Sequence, residues 1–329
     1  MIPLRIAIVG SGGVGGYFGG RLAAAGADVT FIARGAHLQA LRTHGLRLES
    51  PKGDLHLPHV SATEDTSTLA PVDVVLFAVK LYDAESAARL LPPLIGADTV
   101  VVPLQNGVDG VETVAGAVGR PHVAGGVAYV AAVVSEPGVI RHTTMDHLLF
   151  GELDGARSPR LERLLEACHA AGFQATLSDH IDVDIWSKFV RLSVMSGMTA
   201  VTRSPIGPLR DDPDLFAMIQ AAVLEAMAVA RKKGIALPAG VFDEIIRMTQ
   251  ELPPQAKSSM LEDLERGKRL ELPWLSGAVV RLGNELGVET PIHRFIATVL
   301  KPHVNGAETR SARAAEKPVP FPIDRSPRG

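Results

Sequence analysis

The sequence predicts an α/β protein whose first half forms a mostly parallel sheet and whose second half is entirely helical. Short apolar runs typical of buried strands recur up to residue 177 and then stop. Long amphipathic segments follow from residue 181 to about residue 301. The last residues are rich in Pro, Arg, Ala and Ser. We therefore expect an α/β domain over residues 1–180, a helical domain over 181–302 and a disordered tail over 303–329.

A glycine-rich stretch near the N-terminus explains the first half. The apolar run at residues 6–9 ends in glycines, and a Gly/Ala-rich helical pattern follows. Gly10, Gly12 and Gly15 fit G-x-G-x-x-G, with Gly13 and Val14 between them. Such glycines permit a tight turn, a close approach to a pyrophosphate and close packing of helix on strand. The pattern predicts a Rossmann-type dinucleotide-binding domain; a purely structural glycine turn is the alternative.

The end of the second strand bears on the choice of cofactor. Gly26 is a plausible end of the first helix, and residues 28–33 form the next apolar strand. Arg34 follows this strand, with no Asp or Glu nearby. A carboxylate there would bind the ribose hydroxyls of NAD, whereas an arginine pairs with the 2′-phosphate of NADP. Arg34 thus favours NADP, although a solvated surface arginine is the simpler interpretation.

Two further strands bring polar side chains to the same edge of the sheet. Residues 72–79 are a near-continuous apolar run that ends at Lys80, and residues 99–104 lead to Gln105 and Asn106. Ligands of open α/β sheets bind at the carboxyl ends of the strands. Asn106 can donate and accept hydrogen bonds there, although an Asn-Gly pair is more often only a turn.

The remaining elements of the first half are less distinctive. Residues 37–44 and 83–91 read as short helices, and residues 46–50 and 55–60 as a hairpin. Residues 122–134, 138–142 and 148–150 read as strands that extend the same sheet in an antiparallel sense. A helix over 161–171 and a strand over 173–177 close the domain.

The helical half should bring a proton donor over the glycine loop, because hydride transfer by a bound cofactor leaves the protein to supply a proton. Six helices are expected, at about 182–199, 212–234, 239–250, 257–267, 274–287 and 291–301. In the first of them Lys188, Leu192 and Ser196 are four residues apart and share one face. Ser259 lies at the start of another helix, and Glu271 stands in an apolar setting where an unpaired carboxylate is costly. Contact between Glu271 and Lys188 would explain both groups.

Composition excludes several classes of function. The chain of 329 residues is 46% hydrophobic and 21% charged, with a net charge of -3. This balance gives no reason to expect nucleic acid or an anionic membrane as partner. The single cysteine, Cys168, reads as a core residue. No signal peptide, membrane-spanning stretch or metal-binding cluster is apparent, and we expect a cytoplasmic protein.

The motifs together resemble the ketopantoate reductase (2-dehydropantoate 2-reductase) family over almost the whole length from residue 6 to about 301. The resemblance rests on GSGGVG, Arg34, AVK ending at Lys80, QNG at 105–107, IWSK ending at Lys188, SSML at 258–261 and the E-x-x-W-L-S-G run from Glu271. Each motif is weak alone, but their order and spacing are specific. The resemblance implies NADPH-dependent reduction of ketopantoate to pantoate.

The same resemblance assigns roles to the site residues. The loop from Gly10 to Gly15 would hold the pyrophosphate of the cofactor. Arg34 and Lys80 would hold its adenosine 2′-phosphate. Asn106 would lie between nicotinamide and substrate. Lys188 would be the general acid, with Glu271 close enough to influence it. Substrate would be bound by Asn106, Lys188, Leu192, Ser196, Ser259 and Glu271.

The chain departs from the family at two positions. The family's helix usually presents asparagines one and two turns after the lysine, where this chain has Leu192 and Ser196. An apolar lining does not select for a hydroxyl. Two alternatives therefore stay open: a related reductase of a more apolar 2-oxo acid, and a catalytically silent NADP(H)-binding sensor. A homodimer is a further expectation.

Overall fold

The computed structural model describes residues 3–307, so most of the predicted disordered tail lies outside the described residues. The strands are β1 (Arg5–Val9), β2 (Asp28–Ile32), β3 (Leu46–Glu49), β4 (Leu55–Leu57), β5 (Ser61–Thr63), β6 (Val74–Phe77), β7 (Val100–Pro103), β8 (Ala124–Glu136), β9 (Val139–Glu152) and β10 (Gln174–Leu177). The helices of the first half are α1 (Gly13–Ala24), α2 (Gly35–His44), α3 (Ala84–Ala88), α4 (Gly110–Val118) and α5 (Pro159–Ala170).

The helices of the second half are α6 (Ile181–Thr202), α7 (Ile206–Asp211), α8 (Pro213–Lys232), α9 (Val241–Glu251), α10 (Ser259–Glu265), α11 (Ser276–Leu286) and α12 (Pro291–Leu300). All six expected helices are present, and α7 is an additional short one. The chain is thus a Rossmann-type α/β domain followed by a helical one.

A five-stranded parallel sheet forms the centre of the first half, in the order β5-β2-β1-β6-β7. Every residue of β6 and β7 is buried, as their continuous apolar sequences predict for strands covered on both faces. Separate apolar clusters cover the two faces: α1 and α5 pack in one, α3 and α4 in the other. The carboxyl ends of β1, β2, β6 and β7 therefore meet at one edge.

The predicted extension of this sheet is wrong. Residues 124–152 form a long antiparallel hairpin of β8 and β9, and this hairpin belongs to a second sheet in the order β10-β9-β3-β4. A single bridge, Val101 to Val123, joins it to β7. The hairpin is bulged at residues 130–132, which bends it across the first domain. Sequence periodicity marks these residues as strands but carries no information about which sheet they join.

The helical half surrounds its own apolar core, formed largely by α6, α8, α11 and α12. Contrary to the sequence-based expectation, α8 is long and apolar enough to cross a membrane by length and composition. Several of its apolar residues pack in this core, including Ile219, Val223 and Met227. Cys168 is buried in α5, as expected, and burial raises the pKa of its thiol.

Candidate active site

The glycine loop has the geometry that a dinucleotide pyrophosphate requires. Gly10 has a φ of +94°, and a Cβ there would lie 2.6 Å from the backbone nitrogen of Val79. A Cβ on Gly15 would overlap the carbonyl oxygen of Gly10, so only glycine lets α1 pack this closely on β1. Both glycines thus have a steric reason to be glycine.

The N-terminus of α1 is free to bind an anion. Gly12 is its N-cap, no side chain caps it, and its first turn contains no acidic residue. A Cβ on Gly12 would meet nothing within 4 Å, so the loop is open on this side. The first amide groups and the positive end of the helix dipole are available there to a phosphate. The residues present fit a dinucleotide.

The hairpin closes the other side of the loop. A Cβ on Gly13 would overlap the carbonyl of Ala132 in β8. His37 adds a second connection, which the sequence analysis missed: Gly138 donates to its Nδ1 at 3.1 Å. That bond leaves the proton on Nε2, which donates to the Ser11 carbonyl at 2.8 Å. His37 thus holds loop and hairpin together, a role with no signal in its local sequence.

Arg34 lies where the sequence predicts, directly after β2 at the start of α2. Its side chain is 76% exposed and forms a 2.6 Å ion pair with Asp83. Asp83 also lies 4.0 Å from Arg269, whose guanidinium stacks on the ring of Tyr82. An exposed ion pair contributes little stability, so Asp83 leaves Arg34 available to a stronger anion such as a phosphate.

Lys80 has different partners from those the resemblance implies. Its Nζ lies 3.3 Å from Glu271 and 3.4 Å from Asp263, two carboxylates of the helical half. Burial alone would lower the pKa of Lys80, but these carboxylates outweigh burial and raise it. Lys80 is therefore a firmly charged ammonium beside Glu271. A role for it in binding the 2′-phosphate stays a prediction.

Glu271 is a buried carboxylate whose partners all come from the α/β half. The residue is 5% exposed. Its Oε1 accepts from the backbone of Leu81 at 3.3 Å, and its Oε2 accepts from Lys80 and, at 3.5 Å, from the amide of Asn106. The predicted pairing problem of Glu271 is solved by Lys80 rather than by Lys188.

Lys188 lies in the second turn of α6 and reaches towards β8. Its Nζ donates to the carbonyl of Ala128 at 2.7 Å and lies 5.5 Å from the ring centroid of Tyr129. The residue stays partly accessible to solvent. Burial of the ammonium and, to a smaller extent, the charge of Arg191 lower its pKa to about 8, although the charge of Glu271 acts in the opposite direction. Glu271 thus influences Lys188 electrostatically without a direct contact.

The other predicted substrate residues are placed unequally. Leu192 is partly buried against the core of the helical half. Ser196 is buried, and its hydroxyl has no hydrogen-bond partner in residues 3–307. Ser259 is exposed in the first turn of α10, whereas its neighbour Ser258 caps that helix and bonds Thr199 at 2.7 Å.

Gln105 is a candidate that the sequence analysis passed over in favour of Asn106. It follows β7 at the shared edge of the sheet, and both polar atoms of its amide are buried without a partner among the described residues. A buried amide without partners is unfavourable, so a ligand that bonds it would remove the cost. The sequence contained the signal, since Gln105 precedes Asn106 in the same predicted loop.

Two family models match the chain. One, described as "Ketopantoate reductase PanE/ApbA", matches residues 6–155, and one described as "Ketopantoate reductase PanE/ApbA C terminal" matches residues 180–304. The chain belongs to the ketopantoate reductase family. It is an oxidoreductase of the ketopantoate reductase type.

Individual members of the family agree with this placement. A "2-dehydropantoate 2-reductase" of Mesorhizobium japonicum is 35% identical over 88% of this chain and 94% of its own length. An "Uncharacterized oxidoreductase YkpB" of Bacillus subtilis is 31% identical over 88% of this chain and 95% of its own. The crystal structure of a "PanE/ApbA family ketopantoate reductase" from Ralstonia eutropha JMP134 superimposes with a TM-score of 0.84 at 35% identity, covering 91% of this chain and 98% of that one.

Gly12 and Gly13 differ in the space around them and can be separated by experiment. Gly12→Ala should leave the melting temperature nearly unchanged, because its Cβ meets nothing, but should weaken NADPH binding measured by fluorescence titration. Gly13→Ala should cost about 1–3 kcal/mol of unfolding free energy, because the hairpin must move. Equal stability of the two variants would show that β8 does not lie against the loop.

Proposed function

We propose that this reductase converts 2-dehydropantoate (ketopantoate) to pantoate with NADPH, and that Lys188 is the general acid. One observation carries the proposal: β8 contacts both parts of the site. Its Ala132 lies against the glycine loop and its Ala128 accepts from Lys188. Four residues of strand span at most about 13 Å. The anion-binding loop and the proton donor therefore contact the same strand within that distance.

The reaction needs one proton from the protein. A bound reduced nicotinamide supplies the hydride that reaches C2 of the substrate. Negative charge then develops on the C2 oxygen, and Lys188 donates a proton to it. With a pKa of about 8, Lys188 is mostly protonated at neutral pH yet releases its proton more readily than an ordinary lysine.

The neighbouring polar groups can orient the substrate. Asn106 and Glu271 are held together beside the ammonium of Lys80. The hydroxyl of Ser196 and the side-chain amide of Gln105 are buried and have no hydrogen-bond partner among residues 3–307. Each group can form a hydrogen bond with a polar atom of a bound ligand. Such a bond would remove the cost of burying the group without a partner.

The names of the relatives support ketopantoate as substrate. Leu192 is the feature of the chain that argues against this assignment. Leu192 provides no hydrogen bond for the hydroxyl that ketopantoate carries. We propose that Ser196, buried on the same side of α6, supplies the bond instead. The protein's partners would then be small molecules of the cytoplasm.

A homodimer is proposed from the exposed apolar side chains Leu224, Phe295 and Val299. Analytical ultracentrifugation measures this oligomeric state.

The substrate assignment is tested by the initial rate of NADPH oxidation. Ketopantoate should have the highest kcat/KM in a panel with 3-methyl-2-oxobutanoate and phenylpyruvate. A higher value for either apolar acid would overturn the assignment and leave the reductase chemistry intact. Oxidation of NADPH by none of them would point to a binding protein without catalytic activity.

Lys188→Ala should lower kcat by about 10²- to 10⁴-fold, because the variant has no proton donor. The Kd for NADPH should change little. Lys232→Ala, which removes an exposed lysine at the end of α8, should behave as the wild type. The wild-type kcat should fall as the pH rises through about 8, since only protonated Lys188 can act as acid. A kcat independent of pH between 7 and 9.5 would contradict this role.

Arg34→Ala should raise the KM for NADPH by at least about tenfold, the usual effect of losing a charge-assisted bond to phosphate. The KM for NADH should hardly change, because NADH lacks the 2′-phosphate. Arg42→Ala, a second exposed arginine of α2, is the control and should leave both values unaltered. An unchanged NADPH-to-NADH ratio in Arg34→Ala would rule out this contact.

A further inference from the structure

A second cavity of about 620 Å³ lies between the β8–β9 hairpin and the helices α6 and α9. Its size is within the range that small-molecule ligands occupy. Tyr129 of β8, Met145 of β9, Arg191 of α6 and Met248 of α9 all line it. None of the residues assigned to the reaction lines it. The cavity therefore needs its own explanation.

Tyr129 lines the cavity and lies beside a cation of each site. The guanidinium of Arg191 and the ammonium of Lys188 each lie 5.5 Å from the centroid of the Tyr129 ring. On α6, Ser187 and Arg191 line the cavity and are one turn apart. Lys188 and Leu192 follow them by one residue each, which is about 100° around the helix. The two sites thus use adjacent faces of the same helix.

Arg191 is the cation of this cavity that has no counter-charge. Its NH1 contacts only the sulfur of Met248, at 3.9 Å, and no carboxylate of residues 3–307 lies within 4.0 Å of it. Lys52, the other cation at the wall, is already paired with Asp146 at 2.6 Å. Glu244 lies at the exposed first turn of α9, where water screens its charge. A partly buried guanidinium without a counter-charge favours an anion.

One side of the wall, formed by Met145, Val241, Ile245 and Met248, is apolar and adaptable. Val241 and Ile245 are buried on the side of α9, and Met248 follows one turn later. Met145 faces them from β9 with half of its surface exposed and a φ of +59°. Methionine side chains adjust to ligands of different shape. This apolar side of the wall suits a branched or aromatic hydrocarbon body.

We propose that this cavity is a second binding site, for a carboxylate with a branched or aromatic apolar body, held by Arg191 and the side chains of Met145, Ile245 and Met248. The carboxylate lies against the guanidinium and the hydrocarbon body against the methionines. Such a ligand can occupy the protein together with the substrate, since none of the residues assigned to the reaction lines the cavity. The proposal does not depend on which 2-oxo acid the enzyme reduces.

The test measures binding of phenylacetate to the full-length protein by isothermal titration calorimetry. Phenylacetate has the charge and the apolar body but no 2-oxo group to reduce. Arg191→Gln should weaken binding by at least about tenfold, the usual consequence of losing a charge-assisted bond. The control is Arg247→Gln, which changes an exposed arginine of α9 that pairs with Glu251. This variant should bind phenylacetate as the wild type does.

A pair of variants at Met248 tests the same charge without removing Arg191. Met248→Glu places a carboxylate beside the guanidinium and should abolish binding, whereas Met248→Gln should retain it within about threefold. Thermal melting shows whether Arg191→Gln folds. If it does not fold, the two Met248 variants test whether the guanidinium binds the carboxylate. Lys188→Ala identifies the site: binding that survives it belongs to the cavity. Loss of binding in Lys188→Ala, or wild-type binding in Met248→Glu, would overturn the proposal.

Discussion

The buried carboxylate of Glu271 is the interaction on which the arrangement of the two halves depends. A carboxylate at 5% exposure is tolerated only when charge and hydrogen bonds compensate it. Here the compensation comes from Lys80, the Leu81 backbone and Asn106, all at the carboxyl ends of β6 and β7. The helical half therefore docks at this sheet edge, where its buried carboxylate has these partners. That edge is also where an α/β sheet binds its ligands.

The surrounding contacts make this docking specific. A Cβ on Gly107 would lie 2.8 Å from the carbonyl of Trp274, so the loop after β7 approaches the chain next to Glu271 backbone to backbone. Arg281 of α11 pairs with Asp109 at 2.7 Å on the same side. Because several independent contacts join the halves, the position of Lys188 over the cleft does not rest on the charge of Glu271 alone.

The β8–β9 hairpin contributes to both the reaction site and the cavity. The Ala128 carbonyl of β8 accepts from Lys188, and the next residue, Tyr129, lines the cavity. The centroid of the Tyr129 ring lies 5.5 Å from the cations of both sites, Lys188 and Arg191. The arrangement explains how one helix, α6, can serve a proton donor and an unpaired guanidinium only three residues apart.

The sequence by itself determined the strands β1, β2, β6 and β7, the glycine loop and six of the seven helices of the second half, because each has a local pattern: a continuous apolar run, a strained turn or an amphipathic period. It also identified Arg34, Asn106, Lys188 and Glu271 as candidate site residues. Only the tertiary structure decided which of them meet. Lys80, rather than Lys188, neutralises Glu271. These two residues are nearly 200 positions apart in the sequence, so their pairing depends on how the two halves dock. The sheet to which the hairpin belongs, the connecting role of His37 and the cavity beside Arg191 likewise arise from contacts distant in sequence, which leave no periodic trace in the chain.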